Sequence, residues 1–324
     1  MRLTPSLRAV TAVVGTTLAA AFTLTACGSD SGGPGGSNGD QPNIVASTNV
    51  WASVAEAVAG PDVTVTSIID EPSADPHSYE ASPTDAAELT DASLVVYNGG
   101  GYDQFVDDVV GGESSGDQLT VNAFDLFEGG AHAGESHEHG SEAGHEGHDH
   151  GSVNEHVWYD LPTVEQVARA IADKLAQLDP DNAEKYSANA DEFSSQLASV
   201  TAITDAIAAA HAGTPVAQTE PTAHYLLEAA QLTDATPAEF TEAVENETDP
   251  SPASIAKTRE LLQNKQVQAL VYNVQTEDRV TQDMRKTAEG ASVPVVEVTE
   301  TLPEDEDYIQ WQTGIAQSLS DALG

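Results

Sequence analysis

Short runs of β-branched and aliphatic residues alternate with amphipathic stretches over the first part of the chain. Apolar runs of about 4–8 residues are typical of buried strands, and apolar residues that recur every three or four positions are typical of helices. The runs predict strands at residues 43–47, 63–69 and 93–97. The amphipathic stretches predict helices at residues 49–59, 83–91 and 102–110, the first with Asn49 as its N-cap. This alternation indicates a mostly parallel sheet covered by helices.

The last third of the chain repeats the alternation. The predicted strands are residues 215–219, 268–272 and 293–298. The predicted helices are residues 222–231, 251–264, 277–289 and 307–323. A second α/β unit of similar design is therefore expected here.

Two helical stretches lie between these units, at residues 162–178 and 183–211. Asp179-Pro180 separates them, because proline disfavours the helical conformation of the residue before it. A helix as long as the second can span a small domain. The predicted fold class is therefore α/β, with two lobes, each a mostly parallel sheet with flanking helices, joined by a long helical strut. The predicted segments are an N-terminal lobe at residues 43–161, the strut at residues 162–212 and a C-terminal lobe at residues 213–324.

The chain begins with the pattern of a secretory signal peptide, predicted at residues 1–26. Two arginines precede an apolar run at residues 9–24, which is short and diluted by threonines and so disfavours the alternative of a membrane-spanning helix. The sequence Leu24-Thr25-Ala26-Cys27 looks like the lipobox of bacterial lipoproteins, in which the cysteine becomes the acylated N-terminus. We expect lipidated Cys27 to anchor the protein to the outer face of the cell membrane, with residues 27–42 as the lipidated end and a flexible tether.

Charge and cysteine content restrict the function classes. The chain carries 53 acidic and 11 basic residues, a formal net charge of −42. Such a charge disfavours binding to nucleic acid or to anionic membrane surfaces and attracts cations, although solubility in a salty milieu would explain it as well. Cys27 is the only cysteine, and once lipidated it leaves no free thiol, so disulfides, thiolate ligands and cysteine nucleophiles are excluded. A metal site would have to use histidine, carboxylates, carbonyls or water.

Residues 129–151 have no apolar periodicity and are rich in glycine, acidic residues and histidine. The histidines are His132, His137, His139, His145, His148 and His150. We expect a disordered loop that is either a low-affinity collector of metal ions or a solvated linker.

Nitrogen and oxygen donors follow several predicted strands, where open α/β sheets bind their ligands. The candidate metal ligands are His77, His156, Glu220 and Glu300. Considered alone, each of these residues could equally be an ordinary loop residue that binds no metal. His224 is an alternative third ligand, because it lies four residues after Glu220 and would share one face of the same helix.

Four passages carry a family resemblance. They are Asp75-Pro76-His77-Ser78-Tyr79-Glu80, Glu155-His156-Val157-Trp158, Tyr225-Leu226-Leu227 after Glu220, and Thr299-Glu300-Thr301. From residue 43 onward the chain resembles the zinc/manganese ABC-transporter solute-binding proteins of the ZnuA/TroA-like family. The resemblance implies one metal ion between the lobes, held by His77, His156, Glu220 and Glu300. Asn154-Glu155 departs from the Asp-Pro usual in the family, which alters the stiffness of the loop more than the ligation.

The resemblance implies Zn²⁺ as the transported ligand, with Mn²⁺ as the alternative. Two carboxylates favour the harder ion, whereas the histidine-rich loop favours zinc. The implied partners are an ABC-transporter permease and its ATPase. We expect a monomer that binds no nucleic acid and touches the membrane through its lipid alone.

The sequence supports two other classes of function less well. A secreted metallohydrolase would need an open coordination position and a general base, and the sequence holds no His-Glu-x-x-His motif and no nucleophile elbow between a predicted strand and a predicted helix. The protein is therefore not expected to be an enzyme. A surface adhesin or zinc-storage lipoprotein with the same fold stays open as an alternative.

Overall fold

The computed structural model describes residues 41–71, 76–111, 118–127 and 153–324. The predicted signal peptide, Cys27 and the six histidines of the loop at residues 129–151 lie outside these ranges. Within them, no helix combines the length and the apolar composition that a bilayer span requires.

Four strands form the sheet of the N-terminal lobe. They are β1 (Asn43–Thr48), β2 (Thr64–Ile69), β3 (Leu94–Tyr97) and β4 (Leu119–Asn122). All are parallel, in the order β2-β1-β3-β4. The helices of this lobe are α1 (Asn49–Ala59), α2 (Pro83–Asp91), α3 (Gln104–Val110) and α4 (Ala123–Leu126). Alternate residues of β3 pack into two different apolar clusters, Leu94 and Val96 into one and Val95 and Tyr97 into the other. Both faces of the sheet are therefore covered, as the continuous apolar run of β3 indicates.

The strut consists of α5 (Leu161–Leu178), a 3-10 helix (Pro180–Asn182) and α6 (Ala183–His211). Asp160 caps α5, where its carboxylate accepts a hydrogen bond from the backbone N–H of Thr163 at 3.0 Å. The helix stops at Asp179, before the proline, as the sequence predicts.

Four strands also form the sheet of the C-terminal lobe. They are β5 (Pro215–Gln218), β6 (Thr233–Asp234), β7 (Leu270–Asn273) and β8 (Val295–Val298). They are parallel in the order β6-β5-β7-β8. The helices are α7 (His224–Ala229), α8 (Ala238–Glu245), α9 (Pro252–Gln263), α10 (Arg279–Ala291) and α11 (Tyr308–Leu323).

One apolar core runs through both lobes and the strut. It contains Trp51 of α1, Ile171 of α5, Phe193 of α6, and Tyr308 and Trp311 of α11. Helix α6 packs against both α1 and α11, so the strut is part of the core of each lobe rather than a free linker. Burial of these large side chains, each worth about 1.5–3 kcal/mol, resists independent motion of the lobes.

The predicted fold class is confirmed, and the local differences have clear causes. The patterns missed β4, α4, β6 and α8, all of which are short. The predicted N-cap role of Asn49 is wrong, because Thr48 occupies the cap position without a side-chain cap. The side chain of Asn49 instead exchanges two hydrogen bonds, of 3.0 and 2.9 Å, with the backbone of Leu302 in the other lobe.

Candidate metal centre

His77 lies in a 3-10 helix (Pro76–Ser78) between β2 and α2, and its side chain is 18% exposed. Its ring packs edge-on against the ring of Tyr102, with centroids 4.8 Å apart and planes at 85°. Tyr102 is almost fully buried. The imidazole is therefore held by aromatic packing at the edge of the cleft.

His156 precedes a 3-10 helix (Val157–Tyr159) that leads into α5, and it is fully buried. The side-chain oxygen of Asn154 accepts the backbone N–H of His156 at 2.9 Å and lies 3.0 Å from its Nδ1. The amide nitrogen of Asn154 donates to the carbonyl of Pro221 at 2.9 Å, which fixes the amide orientation. Nδ1 of His156 therefore carries the proton and Nε2 keeps its lone pair, the form that binds a metal.

Burial lowers the pKa of His156 well below its usual value, and the nearby His77 lowers it further. The imidazole is consequently neutral at physiological pH. A neutral ring is required of a metal ligand.

Glu300 follows β8 and is 3% exposed. One carboxylate oxygen, Oε1, accepts a hydrogen bond from the side-chain amide of Asn273 at 2.8 Å. The other, Oε2, lies 3.6 Å from Nε2 of His77. The backbone N–H of Glu300 donates to the side-chain oxygen of Gln275, so the turn that carries the carboxylate is fixed by the loop after β7.

The structure adds a residue that the sequence patterns missed. Glu245 is the last residue of α8 and is 10% exposed. Its Oε1 lies 3.4 Å from Nε2 of His156 and 3.7 Å from Nε2 of His77. His77, His156 and Glu245 each offer one ligand atom to a group whose members lie within 4.8 Å of one another. The available signal was Phe240 and Val244, four residues apart after Pro237, which indicates a short amphipathic helix ending at Glu245.

Glu220 lies immediately beyond β5 and is 2% exposed. Its Oε1 accepts hydrogen bonds from the hydroxyls of Thr222 at 3.1 Å and Thr276 at 2.8 Å. Among the residues that the structure describes, Glu220 is not a member of the three-atom group. Its role as a ligand stays a prediction.

His224 begins α7 and is 41% exposed. Its Nε2 lies 3.6 Å from the carboxylate of Glu228, one turn along the helix. Within the described ranges it does not join the three-atom group either. His224 therefore occupies an exposed position, and its role as an alternative ligand stays a prediction.

The separations between donor atoms match those in a metal site better than those in hydrogen bonds. Nitrogen–oxygen hydrogen bonds measure about 2.7–3.2 Å, whereas the separations here are 3.4, 3.6 and 3.7 Å. Two ligands about 2.0–2.2 Å from one tetrahedral ion lie about 3.3–3.6 Å apart. The arrangement of these imidazoles and carboxylates can therefore hold one divalent cation.

A glycine turn after β3 positions Tyr102, whose ring packs against His77. The buried carboxylate of Asp103 accepts the backbone N–H groups of Asn98 and Gly99 at 2.7 and 2.8 Å. Burial raises the pKa of Asp103 to about 6. The side chain of Asn98 donates to the carbonyl of Glu155 at 2.9 Å, so the loop that carries Tyr102 is fastened to the segment that carries His156.

Several hydrogen bonds join the site across the two lobes. Besides the bond from Asn154 to Pro221, the hydroxyl of Tyr225 donates to the carbonyl of Asn154 at 2.6 Å. The hydroxyl of Tyr159, at the start of the strut, donates to the carbonyl of Thr299 at 2.8 Å. These hydrogen bonds thus hold the donor atoms from both halves of the chain in register.

The chain is similar to several bacterial binding proteins. It shares 43% identity with the manganese-binding lipoprotein MntA of Bacillus subtilis over 82 residues, which are 25% of this chain and 26% of that protein. It shares 29% identity with the high-affinity zinc uptake system protein ZnuA of Bacillus subtilis over 185 residues, 56% of each chain. The matched parts thus span between about a quarter and a little over half of these relatives' lengths.

Solved structures show the same fold. The periplasmic zinc binding protein TroA from Treponema pallidum superposes with a TM-score of 0.67 at 15% identity, over 87% of this chain and 98% of that one. The protein FpvC from Pseudomonas aeruginosa in complex with Mn²⁺ gives 0.67 at 18% identity, over 88% and 98%. The sequence profile of the ZnuA family, described as zinc-uptake complex component A, periplasmic, matches residues 44–322. The chain therefore belongs to the ZnuA family.

Proposed function

We propose that this protein is an extracytoplasmic lipoprotein that captures one Zn²⁺ ion between its lobes and delivers it to an ABC-transporter permease. One observation carries the proposal: Nε2 of His77 and Nε2 of His156 converge with the carboxylates of Glu245 and Glu300 at nitrogen–oxygen separations of 3.4–3.7 Å. Neither a hydrogen-bonded pair nor a solvated loop requires this arrangement, whereas a bound cation does.

The proposed ligand set is His77, His156 and Glu300, which belong to this cluster, together with Glu220, which the family resemblance implies. Two neutral imidazoles with two ionised carboxylates neutralise a divalent ion inside a cleft from which water is largely excluded. The hydrogen bond that Asn273 donates to Glu300 and the one that Nδ1 of His156 donates to Asn154 orient the ligand atoms in advance. Such partners commonly raise metal affinity about 10–100-fold.

Zinc is the proposed cargo and manganese the alternative. A site of nitrogen and oxygen donors binds Zn²⁺ more tightly than Mn²⁺ in the usual order of affinities, and the histidine-rich loop at residues 129–151 suits zinc as well. The names of the relatives leave both ions open, because they include a zinc uptake protein and manganese-binding lipoproteins.

Delivery requires a partner, which we propose to be an ABC permease with its ATPase. Lipidated Cys27 would keep the protein at the outer face of the cell membrane, so that it releases the metal ion close to the permease. Binding and release make and break no covalent bond, so the proposal includes no catalytic step. The cross-lobe hydrogen bonds and the shared core favour small loop and rigid-body shifts over wide opening.

Competition titration of the full mature chain, stripped of metal, tests the proposal. We expect one tight Zn²⁺ site per chain, weaker Mn²⁺ binding, and loss of the tight site in His77→Ala and in His156→Ala with an unchanged circular dichroism spectrum. Tight binding by either variant would refute the assignment. Uptake of radioactive zinc by cells that carry the same variants links binding to transport.

A further inference from the structure

Glu245 is the carboxylate that approaches both histidines of the cluster. Its Oε1 lies 3.4 Å from His156 and 3.7 Å from His77, measured to Nε2 in each case. Glu300 contributes a carboxylate oxygen 3.6 Å from Nε2 of His77. Glu245 therefore completes a triangle of donor atoms whose vertices come from three separate elements.

The position of Glu245 on α8 is not that of an ordinary surface glutamate. Phe240 is fully buried and Val244 nearly so, and they fix the helix against the lobe. Glu239 and Glu242 on the same helix are exposed. Glu245 is only 10% exposed and lies at the carboxyl end of the helix, where the helix dipole disfavours a negative charge.

We propose that Glu245 is a direct ligand of the bound metal ion, in addition to the carboxylates expected from the family pattern. This inference rests on the proposed function. With Glu245 included, the C-terminal lobe supplies three candidate carboxylates, Glu220, Glu245 and Glu300. The N-terminal part supplies the two imidazoles. The extra oxygen favours an ion that accepts more than four ligands, so Glu245 raises affinity for Mn²⁺ more than affinity for Zn²⁺.

The alternative is that Glu245 only forms a charged pair with a histidine. The two nearly equal separations argue against it, because an ion-paired carboxylate approaches one nitrogen to about 2.7–2.9 Å. Separations of 3.4 and 3.7 Å between this oxygen and the two nitrogens are instead typical of ligand atoms that share one metal ion.

The test compares Glu245→Ala and Glu245→Gln with the matched control Glu242→Gln, which removes a charge from the exposed side of the same helix. Zinc and manganese affinities are measured by competition on the full mature chain, with His77→Ala as the reference for a lost ligand. We expect Glu245→Ala to bind Zn²⁺ at least ~100-fold more weakly and Mn²⁺ more weakly still, and Glu242→Gln to change either affinity less than ~3-fold.

A second readout separates a ligand from a positioning residue. The visible absorption of bound Co²⁺ depends on the number and kind of its ligands, so it should change in Glu245→Gln and remain unchanged in Glu242→Gln. Unchanged affinity in Glu245→Ala, or an unchanged Co²⁺ spectrum in Glu245→Gln, overturns the inference. If His77→Ala loses the tight site in that case, the proposed function stands, and if the unmodified chain binds no metal, both fail.

Discussion

Asn154 determines which nitrogen of His156 faces the cleft. Its side-chain oxygen accepts from the backbone and lies against Nδ1, and its amide group donates to the other lobe. An aspartate would offer a stronger acceptor but no donor for the carbonyl of Pro221. The residue that departs from the usual family pattern thus connects the ligand to the lobe interface.

Asn154→Ala should weaken zinc binding about 10–100-fold, because His156 loses the partner that fixes its tautomer and orientation. Asn154→Asp keeps the acceptor and should bind at least several-fold more tightly than Asn154→Ala. Competition against a chromophoric chelator measures both affinities. Binding by Asn154→Ala within ~2-fold of the unmodified chain would show that this hydrogen bond does not orient the ligand.

Acid should destabilise the metal-free protein through His156. Its folded-state pKa is lowered by burial, whereas an unfolded chain takes up the proton near pH ~6.5. Below that pH the unfolded state binds more protons, so the free energy of unfolding falls as pH falls, by up to about 1.4 kcal/mol per pH unit for this group.

Urea unfolding between pH 7.5 and 5 of the metal-free chain and of His156→Gln measures this effect. Asp103 acts in the opposite sense, because its raised pKa favours proton uptake by the folded state, so the comparison must be made between the two chains. The unmodified chain should show the steeper loss of stability in acid. Parallel curves would contradict a neutral, buried His156.

The candidate site could be predicted only in part from the sequence. The motifs around His77, His156 and Glu300 identify residues that the fold brings together. Glu245 was missed because it is the last residue of a short helix, after a two-residue strand, and the apolar pattern of these elements is too brief to predict a position in space. Whether Glu220 and His224 reach the metal site depends on the direction of their side chains, which the periodicity of the sequence does not determine.

Elements with long, regular patterns follow the sequence closely. The helices at Pro83–Asp91 and Ala183–His211 have the predicted bounds. The predicted helix at residues 222–231 divides into a 3-10 helix and the shorter α7. Asn49 was expected to cap its own helix, but the turn after β8 offers its side chain a backbone pair in the other lobe. Tertiary contacts of this kind cannot be inferred from local sequence.

Two glycines of the turn after β3 share a positive φ but differ in the space around them. Gly99 and Gly101 have positive φ, +74° and +94°, which costs a side-chain-bearing residue about 1–2 kcal/mol. A Cβ on Gly99 would also lie 2.2 Å from the side-chain oxygen of Asn122, which caps α4, whereas a Cβ on Gly101 meets no atom within 4 Å.

Gly99→Ala should therefore reduce the free energy of unfolding by about 1–2 kcal/mol more than Gly101→Ala, because it also displaces a helix cap. Urea denaturation of the two variants measures the difference. Equal losses would mean that Asn122 moves aside freely and that the turn imposes no steric constraint beyond its backbone conformation.

At the scale of the whole molecule, the two lobes share one core and are linked by hydrogen bonds beside the site. The chain also carries a formal charge of −42, and additional carboxylates inside the cleft add to this repulsion. A divalent cation bound at the proposed site would relieve this repulsion where the lobes meet. We therefore propose that one ion joins the two halves through His77, His156 and carboxylates of the C-terminal lobe.

Anomalous diffraction at the zinc edge from crystals of the zinc-loaded chain tests this claim most directly. We expect one strong peak about 2.0–2.1 Å from Nε2 of both His77 and His156, with carboxylate oxygens of the C-terminal lobe completing the shell. A peak elsewhere on the chain, or one bound to neither histidine, would contradict it.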